Sequence, residues 1–343
     1  MSFKALALGA SLSALMAGAV NAQEHQFTLH HFLGPQAPAH TQMLEPWARQ
    51  VEENSGGQVA IEIFPSMTLG GRPQELVGQV RDGVVDMAWT LNGYTPGLFP
   101  RTEVFELPTV YENDPAAANL AMREVFDEHL AEEYQGLEVM FLHVHAGQGI
   151  HTGDIEARAP SDLEGTSLRI PSRSGSWVIE ALGAQPVAMP VPELPQALQK
   201  GVVDGALIPW EIIPALKIFD QTEYQIEGPN KERLGTSVFQ VSMNQGRWDG
   251  LPEDIKQAFR DASGEDFLRE MGEVWRQADE NGIAVAVENG NTHIQLTEEE
   301  WSAFEEAVAP VVERWTEETS GQGIDGQALA ETARNAIEAA QTE

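Results

Sequence analysis

The tetrapeptide Gly-Val-Val-Asp occurs twice in the chain, at residues 83–86 within VRDGVVDMAW and at residues 201–204 within LQKGVVDGAL. Each copy follows a Pro-Gln-x-Leu stretch, at residues 73–76 and 195–198. Glycine takes a positive φ readily and often follows the end of a helix. Each copy therefore predicts a helix that ends at the glycine and a strand that begins with the valines. The repeat indicates two equivalent α/β units.

Strand and helix patterns alternate around the first copy. Alternating apolar residues predict a strand at 59–64, and apolar residues at helical spacing predict a helix at 38–53. Similar patterns predict a strand at 27–30, a helix at 73–82 and a strand at 84–90. This βαβαβ order indicates a mostly parallel sheet that is covered by helices.

The second copy lies in a similar series of elements. The predicted helices are at 174–183 and 192–200, and the predicted strands are at 138–145, 167–171, 187–189, 202–208 and 236–244. Three helices follow, at 252–282, 301–320 and 327–342. We predict an α/β fold of two lobes, with mostly parallel sheets, covering helices and one long helix that spans both lobes.

The predicted division of the chain has four parts. Lobe I comprises 23–146 and 234–275, and lobe II comprises 147–233 and 276–322. A C-terminal helix occupies 323–343, and residues 1–22 form a signal peptide. The signal peptide is indicated by Lys4, by an apolar run up to Val20 and by the small residues before a cleavage point after Ala22. We therefore predict export to a bacterial periplasm, with no membrane insertion after the signal is removed.

Composition excludes several classes of function. The chain carries 53 acidic and 20 basic residues, for a net charge of −33, so nucleic acids and anionic membranes are not expected partners. The acidity is typical of a halophile's hydrated surface; steering of cations is the alternative. The absence of cysteine excludes disulfides, cysteine-ligated metals and cysteine nucleophiles. No nucleotide or catalytic motif is found, so we expect neither a cofactor nor a metal.

The loops that follow the two repeated segments are rich in aromatic and turn residues. They read WTLNGYTPG after the first copy and IPWEIIP after the second. Ligands of open α/β sheets bind beyond the carboxyl ends of the strands, so the two loops are expected to face a shared cleft. The aromatic and polar residues that we expect there are Trp89, Asn92, Tyr94, Trp177, Trp210, Glu211 and Phe239.

Arg169 and a few histidines complete the expected site. The guanidinium of Arg169 can bind a carboxylate or sulfonate through two hydrogen bonds. Glu211 and the aromatic rings could instead bind an ammonium group. His143 and His145 would share one face of a strand and could chelate a metal, but we favour a cleft lining for His31 and His145.

Six segments resemble the periplasmic substrate-binding subunits of tripartite ATP-independent periplasmic (TRAP) transporters of the DctP type. They are FPSMTLGG (64–71), VRDGVVDMAW (80–89), FELP (105–108), DLEGTSLRIP (162–171), ALGAQPVAMPVPELPQALQKGVVDG (181–205) and MNQGRWDGLPED (243–254). The resemblance implies a two-lobed periplasmic binding protein fold. It also implies a receptor that captures a small organic acid and delivers it to a membrane permease, with Arg169 binding the ligand carboxylate.

Two departures from the family pattern affect the expected ligand. Ile208 stands where the resemblance implies an asparagine that contacts the ligand. Near Gly149, many sugar-acid binders of this family have a second arginine. A less polar site favours a monocarboxylate or sulfonate with an apolar or aromatic body. A small amine or zwitterionic osmolyte is the alternative ligand, a sensor subunit is the alternative partner, and a secreted hydrolase that uses cleft histidines is the alternative class.

Overall fold

The computed structural model describes residues 24–342, so the predicted signal peptide lies outside the described residues. The described part contains two β-sheets. Lobe I is built on a five-stranded sheet and lobe II on a six-stranded sheet. The strands of lobe I are β1 (His25–His31), β2 (Val59–Phe64), β3 (Met87–Leu91), β4 (Leu137–Val144) and β10 (Val238–Asn244). Those of lobe II are β5 (Gly149–Thr152), β6 (Ser167–Ile170), β7 (Gln185–Ala188), β8 (Gly205–Ile208), β9 (Tyr224–Glu227) and β11 (Thr292–Gln295).

Both sheets are mixed. Lobe I has the strand order β2-β1-β3-β10-β4, in which β1 is parallel to β2 and β3 while β10 is antiparallel to both neighbours. Lobe II has the order β11-β9-β5-β8-β6-β7, in which β5 is the antiparallel strand. In sequence, β5 is the first strand after the chain crosses from lobe I to lobe II, and β10 is the first after it returns to lobe I. The predicted mostly parallel sheets are thus present in each lobe.

Helices cover both sheets and join the lobes. Their bounds are α1 (Glu45–Asn54), α2 (Leu76–Arg81), α3 (Pro115–Val125), α4 (Arg173–Ala181), α5 (Leu194–Gln199), α6 (Ile213–Leu216), α7 (Gln245–Asp249), α8 (Glu253–Ala262), α9 (Glu265–Glu288), α10 (Glu298–Val308), α11 (Pro310–Ser320) and α12 (Gly326–Gln341). The 24-residue α9 contacts α3 and β4 in lobe I and the turn Trp210–Ile212 in lobe II. The predicted helix spanning both lobes is therefore confirmed.

The two Gly-Val-Val-Asp copies adopt the same conformation. Gly83 and Gly201 follow α2 and α5 with φ of 68° and 64°. In each copy the first valine is exposed and the second is buried. Each aspartate then accepts a hydrogen bond from a neighbouring strand, at 2.8 Å from Thr28 N in lobe I and at 2.8 Å from Ser167 N in lobe II. The segment thus ends a helix and anchors a neighbouring strand, so the strand itself begins later than predicted.

The prediction of one continuous helix at 252–282 was wrong, because the helix is interrupted between α8 and α9. The helix that spans both lobes is α9 alone. Gly264 is extended, with φ −74° and ψ −179°. The hydroxyl of Ser263 accepts a hydrogen bond from Trp47 Nε1 at 3.0 Å, and its carbonyl accepts one from Arg123 at 2.9 Å. Tertiary hydrogen bonds therefore fix a corner that local helix propensity does not predict. No helix within residues 24–342 has the length and apolarity that a bilayer span requires.

Candidate functional site

A cavity lies between the two lobes. Sites for small molecules are usually concave and mostly apolar, with a few polar groups that fix the ligand's orientation. Lobe I and the segments that cross between the lobes supply most of the aromatic lining, and lobe II supplies Arg169. The lining residues are Phe32, Leu33, Pro38, Ala39, Trp89, Leu91, Tyr94, His145, Gln148, Arg169, Pro171, Val191, Pro209, Glu211, Ile212, Ser237, Phe239 and Trp275.

Arg169 is a buried cation whose hydrogen bonds are incomplete. It lies on β6, is 2% exposed, and donates from Nε to the Met189 carbonyl at 2.9 Å and from Nη1 to the Leu207 carbonyl at 3.4 Å. Nη2 has no hydrogen-bond partner among the described residues. Burial lowers the pKa of Arg169, but a guanidinium keeps its proton in proteins. The cavity therefore offers one unpaired cationic donor to an anion.

Tyr94 of lobe I lines the cavity together with Arg169 and contacts lobe II. It follows β3 in lobe I, and its hydroxyl oxygen accepts a hydrogen bond from the backbone N–H of Val191 in lobe II at 2.9 Å. Burial raises the pKa of Tyr94, and the nearby Arg169 only partly offsets this effect. The phenol is therefore neutral at physiological pH, and it leaves the charge of Arg169 uncompensated.

Flat rings form one wall of the cavity. Trp89 on β3 stacks with Phe32 at a centroid distance of 4.9 Å and with Phe239 at 5.0 Å. Its indole Nε1 donates to Nε2 of His143 at 2.8 Å, which fixes the orientation of the ring. Burial lowers the pKa of His143 to about 3, so this imidazole is neutral and accepts the bond. A rigid aromatic wall of this kind suits a planar, apolar ligand body.

Three further polar side chains line the cavity. Glu211 Oε2 and Gln148 Oε1 have no hydrogen-bond partners among residues 24–342. Burial raises the pKa of Glu211 well above its usual range, and the nearby Asp279 raises it further. His145 Nδ1 accepts a hydrogen bond from Gly147 N at 2.9 Å, so the neutral ring carries its proton on Nε2. The polar groups of the cavity thus include one cation, Arg169, and several further hydrogen-bond donors and acceptors.

Additional contacts join the lobes beside the cavity. Glu106 of lobe I accepts a hydrogen bond from Ser174 Oγ of lobe II at 2.6 Å and one from Val238 N at 3.1 Å. Glu103 of lobe I pairs with Arg173 at the start of α4. The structure therefore has the two lobes in contact around the site.

Six of the ten predicted site residues line the cavity, and four do not. Trp210 is fully buried in lobe II, where the guanidinium of Arg233 lies 4.3 Å from its ring centroid. Its Nε1 donates to Gln225, and its backbone N–H donates to Asp279. The indole of Trp210 packs directly against Gly149. A Cβ at position 149 would lie only 2.2 Å from the indole, so a larger residue would not fit there. Its environment is that of a core residue.

The other three residues have partners outside the cavity. His31 bonds to His40 at 2.9 Å. Asn92 donates to the Tyr134 hydroxyl at 2.8 Å. Trp177 lies on α4, where the Arg173 guanidinium is 4.9 Å from its ring centroid. Each lies near a strand end or helix start as predicted, but its side chain points into a lobe.

Several residues that line the cavity were not predicted from the sequence. Trp275 is not among the predicted site residues, yet its position on α9 brings it to the cavity. Gln148 and Ser237 lie on the two segments that cross between lobes, and they bond to each other at 2.8 Å. A signal for these two did exist, since crossing segments necessarily border a cleft between lobes. Among the described residues there is no group of three or more side chains placed to hold a metal ion.

Comparisons with known proteins agree with this architecture. Residues 29–319 match the sequence profile of the family described as "Bacterial extracellular solute-binding protein, family 7" (DctP). The C4-dicarboxylate-binding periplasmic protein DctP of Rhodobacter capsulatus is 28% identical over 279 residues, covering 80% of this chain and 81% of the relative.

Two solved structures are similar over nearly the whole chain. One is a TRAP solute-binding protein specific for aromatic acids from an unidentified marine microbe, solved with metahydroxyphenylacetate and with 3-hydroxybenzoate. It is 33% identical, with a TM-score of 0.89, covering 92% of this chain and 99% of that one. The other, from Rhodoferax ferrireducens with copurified benzoate, is 34% identical with a TM-score of 0.89, covering 92% and 98% of the two chains.

The family profile covers most of the chain, and both structural neighbours share its two-sheet architecture. The chain therefore belongs to the DctP family of bacterial extracellular solute-binding proteins, the solute receptors of TRAP transporters.

Proposed function

We propose that the chain is an extracytoplasmic receptor that binds an aromatic monocarboxylate between its lobes and delivers it to a TRAP permease. The observation that carries this proposal is the buried Arg169, whose Nη2 lacks a partner among the described residues. A buried charge is costly unless it is paired. A ligand carboxylate would supply both the missing acceptor and the missing counter-charge.

The shape of the cavity supports an aromatic body for the ligand. Trp89 and Phe239 stack with their rings parallel to within 5°, and both line the same cavity as Arg169. The cavity offers one unpaired cation, whereas a dicarboxylate calls for two. The two structural neighbours bind aromatic acids, in agreement with this choice. We extend the proposal to the absence of catalysis, because the family comprises solute-binding proteins.

Closure of the two lobes is the proposed mechanism. A ligand that touches Arg169 in lobe II and Trp89 in lobe I makes both contacts only when the lobes meet, so binding favours the closed state. Lobe I would comprise 23–146 with 234–275, and lobe II 147–233 with 276–322. The permease would recognise the closed form. Residues 1–22 would direct export to the periplasm.

A thermal-shift screen tests the proposal. The panel is benzoate, cyclohexanecarboxylate, succinate, glucuronate, benzenesulfonate, benzylamine and ectoine. Benzoate is expected to raise the melting temperature most, since a ligand at 100 times its Kd adds about 2.7 kcal/mol of stability. Stabilisation by benzylamine or ectoine but not by benzoate would contradict the proposal. Recovery of a chemically altered ligand after incubation would contradict the receptor assignment.

A further inference from the structure

We infer that Glu211 and Gln148 form a second polar subsite, which binds a hydroxyl group on the ring of the bound acid. This inference rests on the proposed function and specifies its substrate class as hydroxylated aromatic acids. The two side chains line the same cavity as Arg169, and each has one buried oxygen without a partner among residues 24–342.

The sheet register places Glu211 and Gln148 at one end of lobe II. Gly149 on β5 is opposite Ile208 on β8, so Gln148 directly precedes, and Pro209 directly follows, the last pair of this ladder, and Glu211 comes two residues after Pro209. Glu211 belongs to the turn Trp210–Ile212, which is held to α9 by the hydrogen bond from Trp210 N to Asp279 at 3.0 Å. Gly282 allows this close packing, because a Cβ there would lie 2.1 Å from the Trp210 carbonyl. The subsite is therefore built on rigid elements.

Arg169 borders the same cavity as this subsite. Its Nη1 bonds to the Leu207 carbonyl at 3.4 Å, four residues before Glu211 in the chain. A ligand whose carboxylate meets Arg169 therefore occupies the cavity that Gln148 and Glu211 also line.

The free atoms complement a hydroxyl group. Gln148 donates from Nε2 to Ser237, which leaves Oε1 as a free acceptor. Burial, reinforced by the nearby carboxylate of Asp279, raises the pKa of Glu211 and favours its protonated carboxyl group, which can donate a hydrogen bond. A phenolic hydroxyl donates one hydrogen bond and accepts another. It can therefore satisfy both oxygens, whereas a bare benzoate would leave them unpaired.

Calorimetric titration of the full mature chain tests the inference with benzoate, 3-hydroxybenzoate and 4-hydroxybenzoate as probes. We expect the wild type to bind at least one hydroxybenzoate about tenfold or more tightly than benzoate, since one or two net hydrogen bonds contribute this much. Glu211→Leu is expected to reduce this preference about tenfold. Glu211→Gln, which can still donate and accept, is expected to retain most of it.

Gln148→Leu is a second variant with the same expected loss of preference, in case Glu211→Leu does not fold by circular dichroism. An unchanged ratio of hydroxybenzoate to benzoate affinity in a folded Glu211→Leu or Gln148→Leu protein would overturn the inference. Tighter binding of benzylamine than of any hydroxybenzoate would overturn it too, since Glu211 would then act as an anion. If no benzoate derivative binds the wild type, the proposed function itself fails.

Discussion

The hydroxyl oxygen of Tyr94 in lobe I accepts a hydrogen bond from the backbone N–H of Val191 in lobe II at 2.9 Å. Tyr94 also lines the cavity beside Arg169. One side chain thus joins the ligand site to the contact between the lobes. This contact exists only when the lobes are together, so it contributes to binding by stabilising the closed state.

Tyr94→Phe tests this contribution. The variant keeps the ring but leaves the buried Val191 N–H without an acceptor, which costs about 1–3 kcal/mol. We expect the Kd for benzoate to rise by about fivefold or more, and small-angle scattering to show a larger share of open protein at a given ligand concentration. Tyr224→Phe, on β9 away from the cavity, is the control. Equal benzoate affinities for Tyr94→Phe and wild type would disprove the contribution.

Glu106 makes the stability of the folded chain depend on pH. Burial, reinforced by Glu103, raises the pKa of Glu106 from 4.5 to about 7. The folded state therefore holds a proton that the unfolded state releases above pH 4.5. The resulting stabilisation is fully present below pH 4.5 and is lost as the pH rises through 7. A shift of this size corresponds to about 3 kcal/mol.

Glu106→Gln should remove this part of the pH dependence while retaining the bonds to Ser174 and Val238. We expect the variant to gain stability relative to wild type as the pH is raised from 5 to 8, as measured by urea unfolding at both values. Comparing the two proteins cancels the contributions of other titrating groups, such as Glu133. A difference in unfolding free energy that is the same at pH 5 and pH 8 would refute the assignment.

Only glycine fits at position 149, because the ring of Trp210 packs against its backbone. The added Cβ of Gly149→Ala would lie 2.2 Å from the indole, and fused rings cannot yield at that distance. We expect the variant to lose about 2 kcal/mol or more of unfolding free energy, in the range of overpacked cores. Gly78→Ala is a matched control within α2, where a Cβ meets nothing within 4 Å. It should stabilise the chain by up to about 1 kcal/mol. Equal unfolding midpoints for the two variants would contradict this packing.

Trp210 itself should behave as a core residue. Its indole is enclosed by Arg233, Gln225 and Gly149. Trp210→Ala is therefore expected to lower the unfolding free energy by about 3–5 kcal/mol, as large core truncations do. Thermal unfolding of the ligand-free protein provides the measurement. A melting temperature near that of wild type, together with weakened benzoate binding, would contradict this prediction and indicate that Trp210 contacts the ligand.

Local patterns were sufficient to predict the two-lobed fold. In both copies of the repeated segment, the glycine ends a helix and the aspartate, Asp86 or Asp204, binds a neighbouring strand. A few adjacent residues are therefore enough to predict its structure. Strand β11 and the corner at Gly264 depend on partners far along the chain. For this reason periodicity did not reveal them.

Part of the site could be predicted for a similar reason. Arg169, Trp89, Tyr94 and Glu211 lie at or just after strand ends, where the topology of α/β sheets places ligands. The sequence alone did not show whether each aromatic ring would face the cavity or the core of its lobe. Trp210 turned inward because Gly149 left room for it, and Trp275 reached the cavity because α9 crosses between the lobes. Both outcomes depend on tertiary packing.

The central claim is that Arg169 binds the carboxylate of the ligand, and titration calorimetry of benzoate with Arg169→Met tests it most directly. Removing one partner of a buried, hydrogen-bonded charge pair costs about 2–5 kcal/mol, so the Kd should rise at least thirtyfold. Arg49→Met, at an exposed arginine, should bind as wild type does. A benzoate Kd for folded Arg169→Met within threefold of the wild-type value would contradict the claim.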